Sequence, residues 1–168
     1  WLDESASPGR GFLADVVRDW EAATHAAAER GIRVVNLRFG IILTPEGGAF
    51  KQMLTPFKLG LGGRVGSGKQ WWSWAALDDV VGAIRFALEG DLAGPVNLVS
   101  PNPVTNAQFT KALGKVLGRP TIFPFPAFAA KAVFGEMAEE ALLTGQRALP
   151  ARLLDAGFAF ELAELDVA

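Results

Sequence analysis

Few side chains in this sequence could do chemistry, and the scarcity itself narrows the choices. There is no tyrosine and no cysteine, and His25 is the single histidine. A His-centred triad, a thiolate site or a multi-His metal site has almost nothing to draw on. Glu21 and His25 stand four apart on a helical pattern and could pair; a solvated surface pair is the simpler reading, because no third positioned group accompanies them. Asp78-Asp79 could be a metal or acid/base pair, or the cap and dipole partner of a helix start. Gly63-Arg64-Val65-Gly66-Ser67-Gly68-Lys69 fits G-x-x-x-x-G-K, most of a phosphate-cradling loop. Gln70, however, stands where that loop needs Ser or Thr for Mg²⁺, and tryptophans follow instead of a helix start. A glycine-rich connection is the alternative. Trp71, Trp72 and Trp74 fit either a packed core or one wall of a ligand pocket. Arg38 ends an apolar strand, where α/β folds place ligands, so an anion contact and a structural salt bridge both suit it.

The elements that must position these groups follow from periodicity. Phe12, Leu13, Val16, Val17, Trp20, Ala23 and Ala27 fall at the three-and-four spacing of an amphipathic helix, stopped by Gly31. Ile32 to Leu37 reads as a short, nearly all-apolar strand covered on both faces. Helix, glycine and buried strand make half of a βαβ unit. Thr44 to Gly48 is a loop, Ala49 to Leu59 a helix, and Gly60 to Gly68 the most glycine-rich stretch. Trp71 to Trp74 is extended, with Trp72 and Trp74 on one face if the strand is continuous. Asp78 starts a helix running to Glu89, and Pro95 to Val99 is a second strand. Thr105 with Gln108 forms a capping box for a helix ending at Gly118. An aromatic-proline connector, Phe123-Pro124-Phe125-Pro126, leads to short Ala-rich helices broken at Gly135 and Gly145, then a helix from Pro150 to Gly157.

The 168 residues are half hydrophobic and one-fifth charged, which suits a packed domain and not disorder. A net charge of −2 gives no basic field, which speaks against nucleic acid and anionic membranes as partners. No apolar run is long enough to cross a bilayer, and the acidic, polar first residues do not read as a signal peptide. The absence of cysteine suits a reducing cytosol, so a cytoplasmic location is expected.

Several segments together resemble one superfamily. Phe12-Leu13-Ala14 followed by Trp20-Glu21 is similar to the helix after the active-site strand of extended short-chain dehydrogenases/reductases. Leu37-Arg38-Phe39-Gly40-Ile41-Ile42-Leu43, then Pro45-x-Gly47-Gly48, resembles the strand and loop that cover the nicotinamide. Gly66-x-Gly68-x-Gln70-x-x-Ser73-Trp74, then Asp78-Asp79, resembles the substrate-side strand and its helix. Gly145-Gln146-Arg147-Ala148-Leu149-Pro150, with Gly157-Phe158-Ala159-Phe160, is similar to the signature of the extra C-terminal domain in one branch, the sugar-nucleotide-epimerase-like "epimerase family proteins".

The resemblance implies the C-terminal part of a Rossmann-type α/β fold with a small substrate lobe and a helical C-terminal extension. It implies two parts: residues 1–100, the second half of the epimerase/dehydratase domain, and residues 101–168, the substrate-side and family-specific helical region. It implies NAD(P) in the intact protein, held with an N-terminal nucleotide-binding half that carries the pyrophosphate turn, and a small polar metabolite or nucleotide sugar as substrate. This chain alone is expected to bind no cofactor. Phe39, Gly40 and Ile41 are the expected cofactor contacts, and Arg38, Gln70, Trp72 and Trp74 the substrate candidates. No metal ligand and no catalytic residue is assigned. The superfamily's Tyr-x-x-x-Lys pair, in which Lys lowers the Tyr pKa and Tyr moves the proton, falls on Leu13 and Val17 when Glu21 is aligned with the family's glutamate. Neither can transfer a proton, so a cofactor-binding sensor or interaction module without turnover is the second reading.

Overall fold

A computed structural model describes residues 1–128 and 143–168. Helix α1 (Phe12–Ala23) and the short α2 (His25–Glu29) lead to strand β1 (Val35–Phe39), and β2 (Ile41–Leu43) follows after the single residue Gly40. Then come α3 (Gly48–Lys58), β3 (Trp71–Trp72), β4 (Trp74–Ala76), α4 (Leu77–Glu89), β5 (Gly94–Leu98), β6 (Val104–Thr105), α5 (Asn106–Leu117) and α6 (Ala151–Asp155).

The strands make three pairs. β1 lies parallel to β5, Val35 opposite Gly94 and Phe39 opposite Leu98. β2 lies parallel to β4, with Ile41 opposite Trp74. β3 runs antiparallel to β6, with Trp72 opposite Val104. Parallel strands joined through helices are the α/β arrangement expected of a Rossmann-type half. Among the described residues β1 has a partner on one edge only.

Two apolar clusters hold the elements. Ala75, Val80, Ala83, Val96, Leu98 and Leu153 form one, joined by Phe158 and Phe160. These two phenylalanines stack edge to face at 4.9 Å, and Phe158 meets Phe86 at 5.4 Å. Leu54, Phe57, Trp72, Phe109 and Leu113 form the other, with Trp72 and Phe109 at 5.2 Å. Each large side chain enclosed in this way contributes about 1.5–3 kcal/mol.

The structure departs from periodicity in three places. The first helix is interrupted at Thr24, whose hydroxyl donates to the carbonyl of Glu21 at 2.7 Å, so α2 starts anew at His25. The apolar face of α1 is not covered: no residue of α1 is buried, and Phe12 and Trp20 are 69% and 71% exposed. Residues Trp71 to Trp74 are not one strand, because Ser73 separates β3 from β4 and the two join different partners. Simple alternation therefore does not relate Trp72 to Trp74. The Ala-rich helices expected around Gly135 fall on residues 129–142, outside the described residues.

The capping box stands as expected. Gln108 N–H donates to Thr105 Oγ1 at 3.3 Å, Thr105 N–H donates to Gln108 Oε1 at 2.8 Å, and Gly118 closes α5 at φ 60°. The chain's start is tied to its last third. Leu2 bonds Arg147 and Leu149 through the backbone, and the buried Glu4 carboxylate accepts the Asn97 N–H at 2.9 Å.

Candidate functional site

The C-terminal end of β1 is where the chain passes from one parallel pair to the next, and most of the expected site residues gather there. Gly40 makes the passage. Its N–H donates to Leu98 at 3.3 Å, and the next residue, Ile41, donates to the Ser73 carbonyl at 2.9 Å. A Cβ on Gly40 would stand 2.6 Å from that carbonyl oxygen and 2.9 Å from Val99, so only glycine lets the two strand pairs approach this closely. Phe39, 49% exposed, presents its ring at this end, with Ile41 half-buried beyond it.

Arg38 does not turn toward the tryptophans. Its Nε and one terminal nitrogen donate to the two carboxylate oxygens of Glu21 at 2.6 and 2.7 Å, a bidentate pair joining β1 to α1. The Arg38 hydrogen bond holds the Glu21 carboxyl below its ordinary value against the opposing effect of burial, and the Glu21 hydrogen bond raises Arg38. Of the two readings open to Arg38, the structure forms the salt bridge. Glu21 is thereby engaged with Arg38 and not hydrogen-bonded to His25.

The remaining candidates support the lobe from within. Gln70 donates to the Val65 carbonyl at 3.0 Å. Trp74 is fully enclosed, its indole N–H donating to the Asn102 carbonyl at 3.0 Å. Trp72 is 4% exposed against Phe109, and its indole N–H is buried without a partner among the described residues. Both indoles are turned into the packed interior. Ser73, between them, donates to the Gln146 carbonyl at 2.8 Å and accepts the Ala148 N–H at 2.9 Å.

Three groups carry more than periodicity could assign. Asp79 is 3% exposed and accepts the N–H groups of Glu161 and Leu162 at 2.7 and 3.1 Å, so it holds the C-terminal tail and does not cap its own helix. The Arg147 guanidinium lies between the rings of Trp1 and Trp71, 3.3 and 3.9 Å from their centroids. Arg64 lines a cavity beside α5. The partners are separated by about 70 residues or more in the first two cases, a distance no local pattern bridges.

The glycine-rich stretch is not a phosphate loop of the nucleotide-binding kind. Gly63 to Lys69 do fit G-x-x-x-x-G-K, but α3 precedes them and β3 follows, with no helix start to converge on a phosphate. Among the described residues no His, Cys, Asp or Glu cluster could hold a metal ion.

A family description, Domain of unknown function (DUF1731), matches residues 125–168. An epimerase family protein of Mycobacterium bovis is 51% identical over 160 residues, 95% of this chain and 53% of that protein. The crystal structure of the human epimerase family protein (isoform 2) with NADPH superposes with a TM-score of 0.91 at 39% identity, covering 99% of this chain and 57% of that one. Over nearly its whole length the chain is similar to the epimerase family proteins. A nucleoside-diphosphate sugar epimerase from Corynebacterium glutamicum is similar at 36% identity, with a TM-score of 0.76 over 98% of this chain and 31% of the other. The family's fold is therefore the Rossmann-like α/β fold, with the C-terminal match falling on the segment that carries the Gly145 to Phe160 signature. The chain spans about half the length of the curated relatives it matches.

Proposed function

We propose that this chain is the substrate-side half of an NAD(P)-dependent, epimerase-like protein acting on a small polar metabolite or nucleotide sugar in the cytoplasm. The observation that carries the reading is the end of β1. Phe39, Gly40 and Ile41 stand at the C-terminal end of a parallel strand whose other edge lacks a partner among the described residues, the position where α/β sheets take their ligands. The NADPH in the related human structure supports the same cofactor class here.

The residues fit such a group. Phe39, half-exposed, would offer its ring to a flat heterocycle and Gly40 would keep the backbone close, while Ile41 packs back against the second apolar cluster. The nicotinamide, when bound, supplies hydride exchange. The protein's part at this end is to orient the ring and keep water from it. Arg38, Gln70, Trp72 and Trp74, the substrate candidates, are engaged with Glu21, Val65, Phe109 and Asn102 and in this reading support the fold instead of meeting substrate directly. The pyrophosphate-holding turn belongs to another part of the intact protein in this reading, and this chain alone binds no dinucleotide.

The test uses the protein at the relatives' full length. Nuclear Overhauser contacts from the nicotinamide protons of NADPH are expected at Phe39 to Ile41. Tight NADPH binding with no such contact would remove these residues from the site. A second reading, cofactor binding without turnover, has its own support. Leu13 and Val17, at the positions of the superfamily's Tyr and Lys, are apolar side chains 37% and 42% exposed on α1. Hydride exchange between labelled NADPH and a panel of nucleotide sugars separates the two readings.

A further inference from the structure

A cavity of about 330 Å³ lies on the other lobe, walled by Arg64, Ala107, Thr110, Thr121, Ile122 and Pro124. Its frame is fixed by four backbone contacts. Val65 N–H donates to Asn106 Oδ1 at 2.8 Å, and Gln70 donates to the Val65 carbonyl. Phe125 N–H donates to the Arg64 carbonyl at 2.8 Å, and Gly66 N–H donates to Phe125 at 2.9 Å. The Arg64 stem lies along Gly68 and beside Ala107, where a Cβ on Gly68 would stand 3.2 Å from Arg64 Cδ. The α5 side of the cavity is Ala107 and Thr110, three apart on the helix, and Thr121, which also lines it, packs against Gly114.

The chemistry of the walls is one-sided. Among the described residues Arg64 is the one ionisable group lining the cavity, and its guanidinium has no ion-pair partner there. Thr110 on α5 is 4% exposed as a residue and lines the cavity. The chain segments that supply the walls carry no acid of their own: from Gly47 to Leu77 and from Leu92 to Phe128 the sequence holds Lys and Arg but neither Asp nor Glu. A planar guanidinium fork binds two oxygens of an anion, and hydroxyls on two other walls can bind oxygens out of that plane.

We propose that this cavity binds a tetrahedral oxyanion, the phosphoryl group of a small phosphorylated metabolite, through Arg64, Thr110 and Thr121. The proposal stands on the cavity and not on the nicotinamide reading, so either can fail without the other. Inorganic phosphate is the probe, followed by amide chemical shifts of the ¹⁵N-labelled chain at constant ionic strength. Saturable shifts at Gly66, Thr110 and Thr121 are expected, with a dissociation constant of about 1–10 mM. Arg64→Gln, at an exposed position, should weaken binding about tenfold or more, and the near-isosteric Thr110→Val about threefold, each with an unchanged circular dichroism spectrum. Acetate should bind more weakly than phosphate. Shifts that never saturate, or an affinity unchanged by Arg64→Gln, would overturn the site. Acetate binding as well as phosphate would overturn its tetrahedral selectivity.

Discussion

Arg38 and Glu21 share two short hydrogen bonds at about one-quarter to one-third side-chain exposure, and that pair fixes α1 to the strand that ends at the candidate site. Glu21→Gln should lower stability by about 1–2 kcal/mol, read from urea unfolding midpoints. The pH dependence follows from the lowered Glu21 carboxyl. The pair's contribution is complete above the ordinary glutamate range and is lost as the pH falls through the folded-state value, so the gap between parent and variant should be constant at neutral pH and close in acid. A gap that widened in acid would contradict the assignment. Asp79 supplies a second test: Asp79→Ala leaves two tail N–H groups without their acceptor and should cost about 2–3 kcal/mol, whereas Asp78→Ala, at an exposed position, should stay within about 0.5 kcal/mol. The type of residue at 79 was legible in the sequence as a helix-start carboxylate. Its partners at 161 and 162 were not, because only tertiary packing brings the tail there.

Between elements, the closeness of the two parallel pairs rests on Gly40, and the start of α5 on the Thr105 capping box. Gly40→Ala should destabilise by about 1–3 kcal/mol, since the new methyl meets a backbone carbonyl that cannot swing away as a side chain could. Thr105→Ala should cost about 1 kcal/mol through the lost cap. Thermal unfolding of the two variants beside the parent checks both. The capping box and the α4 and α5 boundaries were readable because caps and three-and-four spacing are local signals. The tryptophan segment was not, because strand alternation assumes one continuous strand and Ser73 divides it between two sheets. Trp72 and Trp74 were open between core and pocket wall for the same reason: an indole's period does not say what lies opposite, and here it is Phe109 in one case and Asn102 in the other.

At the scale of the whole molecule, an apolar helix face and a strand edge are both open among the described residues. The amphipathic face of α1 was legible, and so was the family, since four ordered motifs run through the chain. What no periodicity could say is that this face stands open, with Phe12 and Trp20 mostly exposed beside a strand that has one unpaired edge among the described residues. The central claim is thus a division of labour: this chain shapes the nicotinamide and substrate side, and the pyrophosphate is held elsewhere. The most direct measurement is a calorimetric titration of NADPH into this chain and, in parallel, into the protein at the relatives' full length. The account predicts no measurable heat of binding for this chain and a dissociation constant of about 1–100 μM for the longer protein. Micromolar binding by this chain alone, or none by the longer protein, would contradict it.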